Sequence, residues 1–311
     1  MIIIRGSTHK GRDVGMGRGS NTVPRRASGG AVRLRGGAMA KGYPRPFIKW
    51  VGGKGQLLHH LIKRSPPTYG RYFEPFLGGG AFFFGQRPKS AVLSDVNAEL
   101  INTYQVVRDS VEALIGELAR HRYDEAHYYA VRAWDRASDY ASLSPVARAA
   151  RFIFLNKTGF NGLHRVNSQG HFNVPFGDYK NPTILDAANL RRCSAALTGV
   201  EIDVASYRAV EARAVAGDFV YFDPPYAPLS ATSNFTSYTV GGFDRAEQES
   251  LRDLCVRLDK KGVHLMVSNS SAPLIADLYA QFRVEIVDAR RFVNARATGR
   301  GAVKEVIVTN F

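Results

Sequence analysis

The stretch from Gly217 to Tyr238, GDFVYFDPPYAPLSATSNFTSY, constrains the fold of this chain more than any other. Its first six residues are mostly aromatic and β-branched, the composition of a buried strand, and that strand delivers Asp223 to a sheet edge. Pro224 and Pro225 then stiffen the backbone and withhold two amide donors, so the carbonyls around them are left to accept hydrogen bonds from a ligand. Tyr226 adds a flat ring beside those acceptors. An acid, a rigid carbonyl and an aromatic plate make a receptacle for a planar amine-bearing ring such as adenine or cytosine. The plainer alternative is a strand that ends in a Pro-Pro turn with an unrelated Asp, and the other motifs of the chain weigh against it.

With 311 residues, 45% of them hydrophobic and 22% charged, the chain is long enough for one large or two modest domains with a proper core. A formal charge of +15 points to a polyanionic partner, but the charge is unevenly spread. Residues 1–46 carry ten Lys or Arg against Asp13 alone, a surplus of +9 that leaves +6 for the body. The two cysteines, Cys193 and Cys255, have no CxxC spacing, which suits a reducing cytoplasm. No apolar run approaches a membrane span, and the histidines do not recur with Cys or carboxylates at metal spacings, so no membrane association and no metal are expected.

Residues 1–42 are rich in Gly, Arg and Ser without periodicity, and are expected to be a disordered basic tail. Met39 opens MAKGYPRPFIKW as a second possible start, with everything before it an upstream extension; the competing reading is a basic arm that strengthens DNA binding. FIKWVGGKGQLLHHL joins an aromatic-basic segment to a glycine turn, but it lacks the glycine five positions before Gly53 and the hydroxyl residue after Lys54 that a triphosphate loop needs. RYFEPFLGGG reads as a strand entering a glycine turn, with amides left facing a ligand at the start of the next helix. Gly78 and Gly80 fit the first part of GxGxxG, yet Phe83 stands at the third glycine position, which argues against a dinucleotide pyrophosphate. A second strand ends at Asp95, where an acid can reach ribose hydroxyls or simply cap a helix; Asn97 can cap instead.

From about residue 98 to 190 the strand-helix alternation breaks into helices and then into NKTGFNGLHRVNSQGHFNVPFGDYKNP, polar and punctuated by glycine. Asn161-Gly162 and Gln169-Gly170 are turn signals, so a hairpin bearing Leu163, Arg165 and Asn167 is expected. Arg and Asn on a hairpin suit base edges, and Phe160 suits a wedge between base pairs; a solvated loop is the bland alternative. After about residue 195 the alternation resumes. A helix from Asp244 carries Glu247 at the capping-box position, and further strands are expected at 263–268, 284–287 and 305–309.

Taken in order, FIKWVGGK, FEPFLGGG, LSDVN, NKTGFNGLHRVN, FNVPFG and VYFDPPYAPLSATSNFTSY resemble the Dam-type DNA adenine methyltransferases, the D12 class, over roughly residues 47–311. The resemblance implies an α/β fold: a Rossmann-like S-adenosylmethionine methyltransferase sheet, residues 43–97 and 191–311, interrupted at 98–190 by a mainly helical target-recognition domain with a β-hairpin. It implies transfer of a methyl group from S-adenosylmethionine to the 6-amino group of an adenine flipped out of double-stranded DNA, in GATC. Asp223, Pro224, Pro225 and Tyr226 would be catalytic. Trp50, Lys54, Phe76, Gly78, Gly80, Asp95 and Asp223 would hold the cofactor. Lys49, Phe160, Asn161, Leu163, Arg165, Pro175 and Tyr179 fall where the family contacts or intercalates its target. Asp178 and Lys157-Thr158 depart from the family pattern, which bears on phosphate contacts more than on chemistry. A palindromic target does not require a dimer, and a monomer in solution is expected. Methylation of RNA or of a protein glutamine, and a DNA-binding regulator without turnover, are the competing readings.

Overall fold

The computed structural model describes residues 42–228, 243–290 and 302–311, all within one compact unit, Ala38–Phe311. The basic tail up to residue 41, both of its proposed roles, and the site stretch from Leu229 to Tyr238 lie outside the described residues. Five strands run parallel: β1 (Tyr72–Glu74), β2 (Ala91–Asp95), β3 (Glu201–Val204), β4 (Phe219–Phe222) and β5 (His264–Ser270). Two more, β6 (Arg283–Arg290) and β7 (Ala302–Thr309), complete one sheet in the order β3-β2-β1-β4-β5-β7-β6, with β7 antiparallel to both its neighbours. Although far apart in sequence, β1 and β4 are adjacent, with Tyr72 opposite Phe219. The glycine turn after β1 and the acid after β4 therefore leave the same end of the sheet side by side, where open α/β sheets bind ligands.

The strands read as unbroken apolar runs because both faces are covered. Alternate residues serve opposite sides. Phe219 and Tyr221 join Tyr72 and the three phenylalanines of α1 and α2 (Leu58–Lys63 and Ala81–Gln86; Phe82, Phe83 and Phe84 lie in α2) in one buried cluster. Val220 and Phe222 join Leu251, Leu254, Cys255 and Leu258 in another. These last four form the buried face of α9 (Arg245–Lys260), whose N-terminus Asp244 caps by accepting from the Glu247 amide at 3.0 Å. The expected reciprocal capping bond at Glu247 is replaced: its carboxylate accepts instead from Tyr207 Oη at 2.9 Å and from Arg208 at 2.8 Å, the second an ion pair.

The interruption grows out of the helical layer on the sheet. Asn97 caps α3 (Ala98–Asp109) by accepting from the Leu100 amide, and Leu100, Ile101, Tyr104 and Val107 are buried. After α4 (Val111–Leu118) and α5 (Glu125–Arg132), Ser144 caps α6 (Pro145–Thr158) with Pro145 in its first turn. One side of α6, with Ala149, Ala150 and Ile153, joins the core of α3; the other, with Phe154 and Leu155, forms a separate cluster with Tyr128, Val131, Phe172 and Val174. Helix α7 (Ala187–Leu197) contributes Leu190, Cys193 and Leu197 to the main core. Two short helices, α8 (Val210–Arg213) and α10 (Pro273–Leu278), complete the described set.

The expected two-stranded hairpin is corrected to a looser antiparallel excursion, joined only at the isolated bridges Gly159–Phe176 and Val166–Phe172. Its turn is where expected: the Gly170 amide donates to the Asn167 carbonyl at 2.9 Å, with Gly170 at φ +82°. Asn167 Oδ1 also accepts from the amides of Gln169 and His171, a local closure in which a side chain takes up backbone donors of the turn.

Candidate active site

Asp223 sits at the end of β4 with its side chain 21% exposed. Both neighbouring donors converge on one of its oxygens. Lys54 Nζ lies 2.8 Å from Oδ1, and Ser268 Oγ donates to the same Oδ1 at 2.8 Å. Among the described residues nothing donates to Oδ2. Burial raises the Asp223 pKa above the usual carboxylate range, while Lys54 and Ser268 pull the other way. Ser268 also shares a 2.9 Å bond with Tyr221 Oη, so the acid is braced from inside the core.

The two prolines divide their work. The Pro225 carbonyl accepts from Gln248 Nε2 at 2.8 Å, whereas the Pro224 carbonyl accepts no hydrogen bond among the described residues. Gln248 Oε1 takes 3.1 Å from Asn269 Nδ2, and Asn269 Oδ1 accepts from the Ala227 amide at 3.0 Å. Both amide side chains are fully buried. Ser270 Oγ donates to the Ala227 carbonyl at 2.6 Å, and Tyr226 Oη donates to Glu305 Oε2 at 2.6 Å. Lys54 Nζ lies 4.6 Å from the Tyr226 ring centre and also donates to the Gly52 carbonyl at 2.6 Å.

Next to this corner lies the glycine turn. Gly78 (φ +46°) and Gly80 (φ +64°) occupy the left-handed region, and a Cβ at Gly78 would come within 2.6 Å of the Trp50 ring. The Gly78 amide donates to Asp95 Oδ2 at 3.1 Å, its carbonyl accepts from Tyr104 Oη at 3.1 Å, and Asp95 Oδ1 accepts from the Asn97 amide at 3.0 Å. Asp95 is thus a brace for the turn, not a helix cap, and each of its oxygens keeps capacity for one more donor. Trp50 and Gly79 line a cleft of about 230 Å³ together with Ile48, Gly53, Leu58 and Ala81. Beyond Asp95, Val96 and Val204 expose 64% and 56% of their surfaces. Phe76 stands apart from the cleft: its ring stacks on Tyr207 at 5.3 Å and meets Phe222 and Phe243 edge-on. Beneath the site, Glu74 is buried, accepts from Tyr72 Oη at 2.6 Å, and is pushed up to about 8 by that burial.

The residues assigned to DNA cluster around one end of α6. Asn156 Oδ1 accepts from the Lys49 amide at 2.7 Å, and its Nδ2 donates to the carbonyls of Lys49 (2.8 Å) and Gly162 (3.0 Å). Lys49 Nζ lies 4.1 Å from the Tyr179 ring centre. Phe160 is 50% exposed, Asn161 adopts φ +54°, and Leu163 packs partly on the small helical cluster. The Pro175 carbonyl accepts from the Phe160 amide at 2.9 Å; Arg165 Nε donates to Asn173 Oδ1 at 2.7 Å. Lys157 is lowered to about 8 by burial and by Lys49 nearby. The two groups of residues meet at Trp50, which stacks on His164 (5.7 Å) and Phe152 (6.4 Å).

Ser268, Gln248, Asn269 and Glu305 were not singled out from sequence. The one available signal was the polar run Ser268-Asn269-Ser270 ending an apolar strand, at the sheet end where ligands bind. Among the described residues there is no group of three or more His, Cys, Asp or Glu able to hold a metal, and no helix long and apolar enough to cross a membrane.

Residues 50–293 match the D12 class N6 adenine-specific DNA methyltransferase family. A Type II methyltransferase of Lactococcus lactis subsp. cremoris is 46% identical over 271 residues, 86% of this chain and 95% of that protein. A Type II methyltransferase of Methanocaldococcus jannaschii is 40% identical over 86% of this chain and 99% of its own length. A DNA adenine methylase of Serratia marcescens is 36% identical over 85% and 97% respectively. The turn that a Cβ at Gly78 would fill, the spare acceptor capacity of Asp95 and the apolar Val96 and Val204 fit a nucleoside-bearing methyl donor. The chain belongs to the D12 class N6 adenine-specific DNA methyltransferases, Rossmann-like enzymes that draw their methyl group from S-adenosylmethionine.

Proposed function

We propose that this enzyme methylates N6 of an adenine swung out of double-stranded DNA, within GATC. The observation that carries the reading is the asymmetry of Asp223: Oδ1 is held by Lys54 and Ser268, while Oδ2 and the neighbouring Pro224 carbonyl accept from nothing among the described residues. Two rigid acceptors side by side match the two hydrogens of one exocyclic amine.

The amine of adenine is a weak nucleophile because its lone pair is delocalised into the ring. Asp223 Oδ2 and the Pro224 carbonyl hold both hydrogens and so fix the direction in which electron density is offered. S-adenosylmethionine, when bound, supplies a sulfonium methyl for direct in-line transfer. Trp50, the turn at Gly78 and Gly80, Lys54 and Asp95 would hold it, and Phe76 would act through the packing of that turn. As N6 loses a proton, Asp223 takes it; burial makes this carboxylate hold a proton more readily than a solvated one. The base stacks on the Tyr226 face away from Lys54.

A paired adenine cannot reach this corner, so flipping is required at a cost of a few kcal/mol, offset by stacking on Tyr226 and by Phe160 filling the gap in the duplex. Arg165, Asn161, Leu163 and Pro175 read base edges, while Lys49 and Tyr179 form the floor beside them. Residues 98–190 act as the recognition module, and GATC follows from the resemblance of this segment to the Dam-type enzymes. Sequencing methylated adenines in DNA from cells expressing the chain tests the reading. Modified adenine confined to GATC supports it; modification at a different site overturns the target, and none at all overturns the activity.

A further inference from the structure

Glu305 lies on β7, 79 residues from the tyrosine it binds, and no part of the reaction scheme above uses it. In the sheet it stands opposite Ser270 of β5 and Val287 of β6, so its backbone is fixed from both sides. That single rung grips two consecutive residues of the site loop. Ser270 Oγ donates to the Ala227 carbonyl at 2.6 Å, and Glu305 Oε2 accepts from Tyr226 Oη at 2.6 Å. The other restraint on the Tyr226 ring is Lys54, 4.6 Å from its centre and paired with Asp223.

From this geometry we infer that Glu305 is a positioning residue for methyl transfer, one that fixes the plane of Tyr226 so that a base stacked on it is presented edge-on to Asp223 and Pro224. The inference rests on the stacking role given to Tyr226 above. A phenol donating to a carboxylate is a charge-assisted bond, shorter and stronger than a neutral one. Without it, the ring loses its one hydrogen-bonded anchor and keeps only Lys54 against its face, on a loop whose backbone stays pinned by Ser270, Asn269 and Gln248. Burial and the nearby carboxylates hold the Tyr226 pKa well above the ordinary phenol value, so the hydroxyl remains the donor throughout the working range.

The test is a double-mutant cycle in the full-length chain, with kcat, KM for DNA and cofactor Kd measured for Glu305→Ala, Glu305→Gln, Tyr226→Phe and their combinations. Loss of a hydrogen bond to a charged group predicts that Glu305→Ala and Tyr226→Phe each lower kcat roughly tenfold to a hundredfold, with cofactor Kd changed less than about twofold. Glu305→Gln keeps an acceptor and should recover most of kcat. Glu305→Ala should add almost nothing in the Tyr226→Phe background. Wild-type kcat in Glu305→Ala, or a full additional loss in the Tyr226→Phe background, overturns the inference. Should Glu305→Ala fail to fold, Tyr226→Phe, which removes the same hydrogen bond from the other side, carries the test alone, and wild-type kcat in it overturns the inference. Tyr226→Ala separates the two levels: if it transfers methyl normally, the stacking role itself is wrong; if it is dead while Glu305→Ala is normal, only Glu305 is misassigned.

Discussion

The corner after β4 and the excursion from Gly159 to Tyr179 are both built on loops, yet they are held in opposite ways. At the corner, side chains from β5, β7 and α9 reach into the loop, and Gln248 and Asn269 satisfy each other while they satisfy it. The excursion is held mainly along its returning limb, where Arg136 donates to the Phe172 carbonyl, Tyr128 Oη to the Val174 carbonyl and Tyr123 Oη to the Gly177 carbonyl, and at its base, where Tyr179 Oη donates to the Gly159 carbonyl. Its outer residues, Asn161, Arg165, Ser168 and Gln169, are exposed. A reaction needs reacting atoms fixed to a fraction of an ångström, whereas a reading head must adapt to a duplex before closing on it. On the proposed function, side chains interlock where bonds would change, and exposed residues stand where a duplex would be matched.

That contrast can be broken first at the acid. Asp223→Ala should abolish turnover, a fall of at least about a thousandfold, while cofactor and DNA still bind; near-normal methyl transfer to plasmid DNA would remove Asp223 from the mechanism. Gly78→Ala forces a Cβ to within 2.6 Å of Trp50 at φ +46°, so cofactor affinity by calorimetry should drop about tenfold or more with little change in DNA binding. Gln248→Leu leaves the buried Asn269 amide group without its acceptor and releases the carbonyl of the exposed Pro225 to solvent, and should cost about 1–3 kcal/mol of unfolding free energy, the range for one orphaned buried group. Arg165→Ala, by contrast, should leave stability unchanged and relax discrimination at one base pair by about 1–3 kcal/mol. Equal discrimination at all four positions would exclude Arg165 as a reader.

The last expected effect concerns acid and touches neither region's chemistry. Burial lowers His121 and His164 to about 4, with His127 adding to the first and Arg151 to the second. Their unfolded value is near 6.5, so the unfolded chain binds protons that the native one refuses between those limits. Stability should therefore be full above about pH 6.5 and decline as pH falls towards 4; His121→Gln should flatten the slope of unfolding free energy in that window. An unaltered slope would show that the His121 environment is not maintained in solution.

Elements whose determinants are local in sequence were legible. Asn97 and Asp244 each cap the helix that follows them, as their place before it suggested. The strand leading to Asp223 was legible for the same reason, being apolar on both faces. What was hidden lies in pairings across long separations. Glu305 reads as one more strand residue until β7 is placed beside β5, and Glu247 reads as a capping partner until Tyr207 and Arg208 are brought against it. The turns of the excursion could be read from Asn and Gly, but not how short its pairing is, with backbone bonds between its limbs only beside its two isolated bridges.

The adjacency of β1 and β4 also governs when this protein can assemble. Residue 72 leaves the ribosome long before residue 219, its neighbour across the sheet, has been synthesised. Until then the nascent chain carries an aromatic strand with one flank bare, and such long-range closure is slow and exposes the chain to aggregation. Helices α3, α4 and α7 and one side of α6 emerge before residue 219 and share the core of the early strands, so the apolar surface available to cover those strands in a growing chain is helical.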